Sequence, residues 1–239
     1  MPITNLNQQK NEQNTANIID KPDLLSNEYR LRFTKLEQYR NNVWKILCAD
    51  FFSKYIPKDA SVLDLGAGWG EFINNIDAKT KIAMDLNKDT QRHLDKDVKL
   101  VHQDCATEWQ VESDSIDVVF TSNFFEHLPD KASVDYTVAE SLRCLKKGGK
   151  LIYLGPNIKY VQGAYWDFWD HHIPITECSA MEMLKIVGFE IGTCIPRFLP
   201  YSMSNDKNPP LFTVQLYLKL PFIWPLFGKQ FLIIAKKPS

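Results

Sequence analysis

A short apolar run that ends in three closely spaced glycines constrains the fold more than any other feature of this chain. Val62 to Leu65 is typical of a buried strand, and glycines follow it at every second position. Residues 71–73 then have helical character, so the stretch predicts a strand, a tight turn and a helix start. Glycines allow a ligand to lie against bare main chain, and the helix directs unpaired N–H groups towards it. The stretch therefore predicts a cradle for a nucleotide-like ligand.

The spacing of the glycines separates two classes of cofactor. Dinucleotide-binding chains carry a Gly-x-Gly-x-x-Gly pattern, which needs a glycine at position 71, where this chain has Glu71. Asp64 instead precedes Gly66 by two residues, and a carboxylate there suits a positively charged ligand better than a pyrophosphate. The pattern resembles the first motif of class I S-adenosylmethionine-dependent methyltransferases, in which this acid lies near the methionine end of the cofactor.

Acidic residues also follow the next two predicted strands. Asp85 lies at the end of the strand at 81–86, and Asp104 follows the strand at 98–102. Ligands of doubly wound sheets bind at the carboxyl ends of the strands, where an acid such as Asp85 can accept both hydrogens of a ribose diol. A turn-capping role for Asp85 is the alternative. Asp104 matches by position the acid that, in the methyltransferase family, accepts from the adenine amine.

Two later motifs extend the resemblance. The strand predicted at 115–123 runs into Phe124-Phe125-Glu126-His127-Leu128, which resembles the family's segment beside the methionine moiety, although His127 is only a weak catalytic candidate. The glycines at 148 and 149 predict a left-handed cap that ends a helix before a fifth strand at 151–154. The cofactor-binding residues expected from the motifs and the resemblance together are Asp64, Gly66, Ala67, Gly68, Gly70, Asp85, Leu86, Asp104, Cys105, Asn123 and Phe124.

The resemblance implies an α/β fold, a doubly wound, Rossmann-like, seven-stranded and mostly parallel sheet with an antiparallel last strand. Residues 1–22 are rich in Asn and Gln and predict a flexible N-terminal arm. Residues 23–57 predict a helical segment with one apolar stripe, and residues 58–239 predict the methyltransferase domain. Arginines 30, 32 and 40 are expected to be solvated on the polar side of that helix, rather than to clamp a substrate.

An aromatic segment at 160–174 leaves the fifth strand and is expected to fold over the mouth of the cleft, with core packing as the alternative. It ends in His171 and His172, the best catalytic candidates, because histidine can take a proton from a hydroxyl near pH 7. His172 through Thr176 resembles a helix start of the family, which favours His172 as scaffold. No metal site is expected, since Asp167, Asp170 and the two histidines lack a recognised chelate spacing.

The region near 205–228 is apolar and interrupted by prolines, which exclude a single spanning helix. A short helix or hairpin over 209–228 is expected to lie at a membrane surface or to line a cleft for a lipid-linked acceptor. Packing on the domain's own core or in a dimer interface is an equal alternative. A helix capped by Thr176 and ended by Gly188, and a last strand at 230–235, complete the prediction.

Composition limits the partners. The net charge of -1 provides no basic field for nucleic acid, and five scattered cysteines without a Cys-x-x-Cys pair favour a reducing cytoplasm. The resemblance implies S-adenosylmethionine as cofactor and methylation, with O-methylation favoured, of a small-molecule, glycan or lipid-linked acceptor, at the inner membrane face if peripheral. An NAD(P)-linked oxidoreductase or epimerase and a non-catalytic nucleoside-binding module are the alternatives. The oligomeric state is left open.

Overall fold

The structure is a computed structural model that describes residues 21–201 and 208–239. Most of the predicted flexible arm, up to residue 20, and part of the apolar region at 205–207 lie outside the described residues. The strands of the described part form one sheet: β1 Ser61–Leu65, β2 Thr80–Met84, β3 Val98–Val101, β4 Ile116–Ser122, β5 Leu145–Pro156, β6 Glu190–Leu199 and β7 Gln230–Lys236.

The strand order β3-β2-β1-β4-β5-β7-β6 confirms the predicted doubly wound α/β sheet. β1 to β5 pair in parallel, whereas β7 runs antiparallel to both β5 and β6. The order reverses direction at β1 and β4, so a crevice opens beyond the carboxyl ends of these two strands.

The helices of the described residues flank this sheet: α1 Lys21–Phe33, α2 Glu37–Asp50, α3 Glu71–Asn75, α4 Thr90–His93, α5 Lys131–Cys144, α6 Ile158–Val161, α7 Glu177–Val187, α8 Leu211–Lys219 and α9 Trp224–Phe227. Alternate residues of β1 and β4 enter opposite cores: Val62 and Val118 pack in one, Leu63 and Val119 in the other. Burial on both faces explains why these strands read as continuous apolar runs.

The region of the predicted helical segment contains two helices, α1 and α2. A 3₁₀ turn over Thr34–Leu36 separates α1 from α2. The apolar stripe belongs to α2, which buries Val43, Trp44, Leu47 and Cys48, whereas Leu24 and Leu31 of α1 are exposed. The chain breaks where the stripe begins, because only α2 has an apolar face to pack on the sheet.

One predicted helix end is confirmed and another is wrong. Thr176 accepts from the backbone N–H of Ser179 to cap α7, and Gly188, at φ 116°, ends that helix. α5 ends earlier than expected, at Cys144, without a left-handed cap. Leu145 is fully buried and pairs with Ile116, so the strand begins as soon as the helix stops.

The apolar region after β6 forms α8, a 3₁₀ turn and α9. One side packs on the domain's own core, where Leu218 and Trp224 are buried, as one of the predicted alternatives states. The other side exposes large apolar side chains: Phe212, Leu216, Phe222, Leu226 and Phe227. Across residues 21–201 and 208–239, no helix has the length and apolar character needed to cross a membrane.

Candidate functional site

The turn after β1 has the bare main chain that the sequence predicts. Gly66, Gly68 and Gly70 have φ values of 71°, 55° and 76°, a region that favours glycine. A Cβ atom at Gly66 would lie 2.3 Å from the Phe124 ring, and one at Gly68 would lie 2.3 Å from the Tyr29 hydroxyl. Any larger residue would therefore be both strained and obstructed at these two positions.

Carboxylates surround this turn. Asp64 and Glu71 are buried, and Asp85 accepts from the backbone N–H groups of Gly68 and Asn87, each at 2.7 Å. Burial raises the pKa of Asp85 to about 6, although its hydrogen bonds oppose the shift. Burial, and then the charges of Glu71 and Asp85, raise the pKa of Asp64 well above its ordinary value. This end of the site therefore favours a ligand with positive charge.

A single cleft brings together most of the predicted site residues. Those that line it are Asp64, Gly66, Ala67, Asp85, Leu86, Asp104, Cys105, Asn123, Phe124 and His171. Gly68 and Gly70 shape the turn behind it without lining it. Asp104 accepts from the backbone N–H of Ala106 at 2.9 Å, which holds the loop after β3 in place.

Four polar side chains, which we call the polar cluster, line the same cleft: Glu126, His127, Asp170 and His171. His127 Nδ1 lies 3.0 Å from Asp170 Oδ2, and its Nε2 lies 4.0 Å from Glu126 Oε1. The rings of His127 and His171 meet edge to face with centroids 4.7 Å apart. Two loops, one after β4 and one after α6, therefore meet to build this group.

The polar cluster holds its titratable groups in different protonation states. Burial raises the pKa of Glu126 to about 7 and lowers that of His171 to about 4. Burial opposes protonation of His127, but the hydrogen bond to Asp170 and the Glu126 charge raise its pKa. Burial alone would raise the pKa of Asp170, yet hydrogen bonds from His127 and Arg32 lower it well below its usual range. Such divergence is typical of groups that exchange protons with a ligand.

His172, the other predicted catalytic histidine, lies outside the cleft lining. Its side chain is exposed, and its backbone N–H donates to the Glu126 carbonyl oxygen at 2.8 Å. His171 is buried and points to the cleft, although the sequence favoured it as the less constrained of the two. The structure thus brings His127, the weaker sequence candidate, into the site in place of His172.

The expectation that the arginines of the N-terminal helices are solvated is wrong. Arg32 binds Asp170 through two hydrogen bonds, and Arg40 donates to Glu71 at 2.8 Å with both side chains nearly buried. Arg30, still half exposed, binds Asp89 after β2. α1 therefore lies across the cleft. Sequence reasoning missed these residues because their partners are distant in the chain.

Comparisons with known proteins agree with this architecture. Residues 36–191, more than half of the chain, match a family model described as a methyltransferase domain. No curated protein matches the sequence significantly.

Solved structures of low identity share the fold. A chain of the complex between the Haloferax volcanii Trm112 methyltransferase activator and a methyltransferase superposes with a TM-score of 0.66 at 15% identity, over 93% of this chain and 100% of that chain. A SAM-dependent methyltransferase from Archaeoglobus fulgidus gives a TM-score of 0.62 at 21% identity, over 86% and 99% of the two chains. One from Thermotoga maritima gives 0.63 at 16% identity, over 89% and 99%.

Proposed function

The chain belongs to the class I S-adenosylmethionine-dependent methyltransferases, and from that membership we propose that it methylates a hydroxyl group of a small-molecule, sugar or lipid-linked acceptor. S-adenosylmethionine is the methyl donor. The family assignment excludes the two alternatives, an NAD(P)-linked oxidoreductase or epimerase and a non-catalytic nucleoside-binding module.

The cofactor lies over the glycine turn in this proposal. Asp85 keeps acceptor capacity for the ribose, because a carboxylate offers about four acceptor sites and its backbone bonds to Gly68, Leu86 and Asn87 use three. Asp104 and Cys105 flank the adenine, and Asn123 and Phe124 lie beside the methionine end. Asp64, Glu71 and Asp85 give this part of the cleft the negative charge that suits a sulfonium and an ammonium group.

The observation that carries the hydroxyl acceptor is the polar cluster, which lines the same cleft. The acceptor oxygen attacks the methyl carbon, the carbon–sulfur bond breaks, and its electron pair stays on sulfur to give S-adenosylhomocysteine. The hydroxyl proton passes to an oxygen of Glu126, whose pKa of about 7 suits a base near neutral pH. His171 and His127 orient the hydroxyl. This replaces His172 as the proposed catalytic partner of His171.

An acceptor with a lipid part fits the position of the apolar region. β6 ends at Leu199 and β7 begins at Gln230, which itself lines the cleft, so the connecting segment starts and ends at the edge where the cleft opens. Its exposed apolar side chains are accompanied by Lys219 and Lys229, and residues 209–229 contain no acid. The segment therefore has the chemistry to contact a lipid tail, or a membrane surface with anionic headgroups.

Transfer of a labelled methyl group to paired acceptors tests the proposal. Purified protein is incubated with methyl-labelled S-adenosylmethionine and with sugars or polyprenyl-linked sugars, each tested as the hydroxyl compound and as its amino analogue. We expect labelled product from hydroxyl compounds, with the lipid-linked form preferred over the free sugar. Labelling of the amino analogues alone would overturn O-methylation, and equal labelling of free and lipid-linked sugars would remove the lipid preference.

A further inference from the structure

Three side chains of the polar cluster have the chemistry of a metal site. Glu126, His127 and His171 each offer one ligand atom, and the three atoms lie within 4.8 Å of one another. Ligands about 2.0–2.2 Å from one ion lie no more than about 4.4 Å apart, so small side-chain rotations would place all three on one cation. The set is two imidazoles and one carboxylate.

Several buried side-chain atoms of this group lack a hydrogen bond within the part of the chain that the structure describes. Both carboxylate oxygens of Glu126 and the Nδ1 of His171 form no hydrogen bond there. Glu126 is 1% exposed and His171 6% exposed, and both line the cleft. Burying a carboxylate without a partner is unfavourable, so these atoms call for a ligand that comes from outside the chain.

The surroundings of His127 fix it as a ligand. Asp170 lies 3.0 Å from Nδ1, which keeps the proton on that nitrogen and leaves the Nε2 lone pair directed towards Glu126. A carboxylate behind a ligating histidine is the usual outer partner at metal centres. Arg32 holds Asp170 in turn through two hydrogen bonds.

From these contacts we propose that Glu126, His127 and His171 bind one divalent transition-metal cation, such as Mn²⁺, Fe²⁺ or Zn²⁺, inside the cleft. Two imidazole ligands favour these ions over Mg²⁺, which prefers oxygen. Three protein ligands leave coordination positions open towards the cleft. The site departs from the sequence expectation of no metal, which weighed the two adjacent histidines rather than His127.

The role of the cation rests on the proposed function, whereas its binding does not. Held by Glu126, His127 and His171, a cation would supply a Lewis acid for the acceptor oxygen. Metal binding is measured without acceptor or turnover, so a failure of either proposal is recognised separately.

Titration with Mn²⁺ tests the site. The full chain is freed of metal with a chelator and titrated while free Mn²⁺ is followed by electron paramagnetic resonance. We expect one Mn²⁺ per chain. The spin-echo signal of the bound ion should be modulated by the nitrogen atoms of the imidazole ligands. His171→Ala and Glu126→Gln should each weaken the affinity by at least about tenfold. The matched control is His172→Ala, which removes an exposed histidine next to the site and should leave the affinity unchanged.

Two outcomes would overturn the site: no bound Mn²⁺ in the wild-type chain at millimolar metal, or equal affinity in the wild type, His171→Ala and Glu126→Gln. The polar cluster would then be an acid–base group alone. Thermal unfolding of each variant identifies any that fails to fold. Asp170→Asn gives an additional reading, because loss of the carboxylate behind His127 should weaken Mn²⁺ binding about 10–100-fold while all three ligands remain.

Discussion

Asp85 connects the glycine turn to the strand beside it. It receives one hydrogen bond from Gly68 and one from Asn87, so the same side chain that is proposed to hold the ribose also fixes the loop around it. This dual use explains why the two readings of Asp85 from the sequence, ribose ligand and turn cap, do not exclude one another.

Replacing Asp85 by Asn should weaken binding of S-adenosylhomocysteine about 10–100-fold, because hydrogen bonds to a charged group contribute about 1.5–3 kcal/mol. With a pKa of about 6, the carboxyl of the free protein gains a proton below that pH, so wild-type affinity should fall between pH 7 and pH 5. Calorimetric titration across this range measures both effects. Asp97→Asn, which alters an exposed acid paired with Lys81, is the control. If the affinity of the Asp85→Asn variant depended on pH as that of the wild type does, Asp85 would not be the group that binds the ribose.

The ion pair of Arg40 with Glu71 leads to a prediction about the stability of the fold. Arg40→Met leaves the buried Glu71 carboxylate without its partner, so the free energy of unfolding should fall by about 3–5 kcal/mol. The double change Arg40→Met with Glu71→Gln should recover much of that loss. Urea denaturation gives the values. Lys58→Met, which breaks an exposed pair with Asp77, should change stability little. An equally small effect at Arg40 would show that the buried pair is not needed.

The helix α1 lies across the cleft and is held there by ion pairs and hydrogen bonds. It packs no apolar stripe on the sheet, and Arg30, Arg32 and Ser26 bind groups on the cleft side instead. α1 is thus joined to the domain by a few side chains, whereas α2 packs along a continuous buried stripe, so α1 is the element expected to open first.

Arg32→Gln should therefore loosen α1 without unfolding the domain. Amide hydrogen exchange should accelerate in residues 21–33 and stay unchanged in α2, and bound S-adenosylhomocysteine should dissociate several times faster. Mass-spectrometric exchange and stopped-flow displacement measure the two. Lys45→Gln changes an exposed cation on α2 and provides the comparison. Unaltered exchange in 21–33 would show that α1 is held by contacts other than this pair.

The segment from α8 to α9 leads to a prediction about binding to vesicles. Phe222→Ser with Leu226→Ser removes two exposed apolar side chains and keeps the buried Trp224. If the proposed membrane contact exists, the wild type should float with anionic vesicles in a density gradient, and the double variant should do so several-fold less, because apolar burial and lysine attraction would drive that contact. Ile186→Ser removes an exposed apolar residue of α7 and should leave flotation unchanged. Equal sedimentation of wild type and double variant would exclude the membrane contact.

For the molecule as a whole, the doubly wound and mostly parallel arrangement of the sheet could be predicted from the sequence. Strands such as 62–65 are buried on both faces and read as apolar runs, and the Gly66 turn has few alternative conformations. The relation of α1 to the cleft could not be predicted, because Arg32 and Asp170 are 138 residues apart and no local pattern joins them. His127 was undervalued for the same reason: its role depends on a loop that arrives 43 residues later.

The position of α1 has a consequence for turnover. Its Tyr29 lies against Gly68 of the glycine turn, and its Arg32 holds Asp170 of the polar cluster. Movement of α1 would therefore change access to both places at once, which would couple the departure of the spent donor to that of the product.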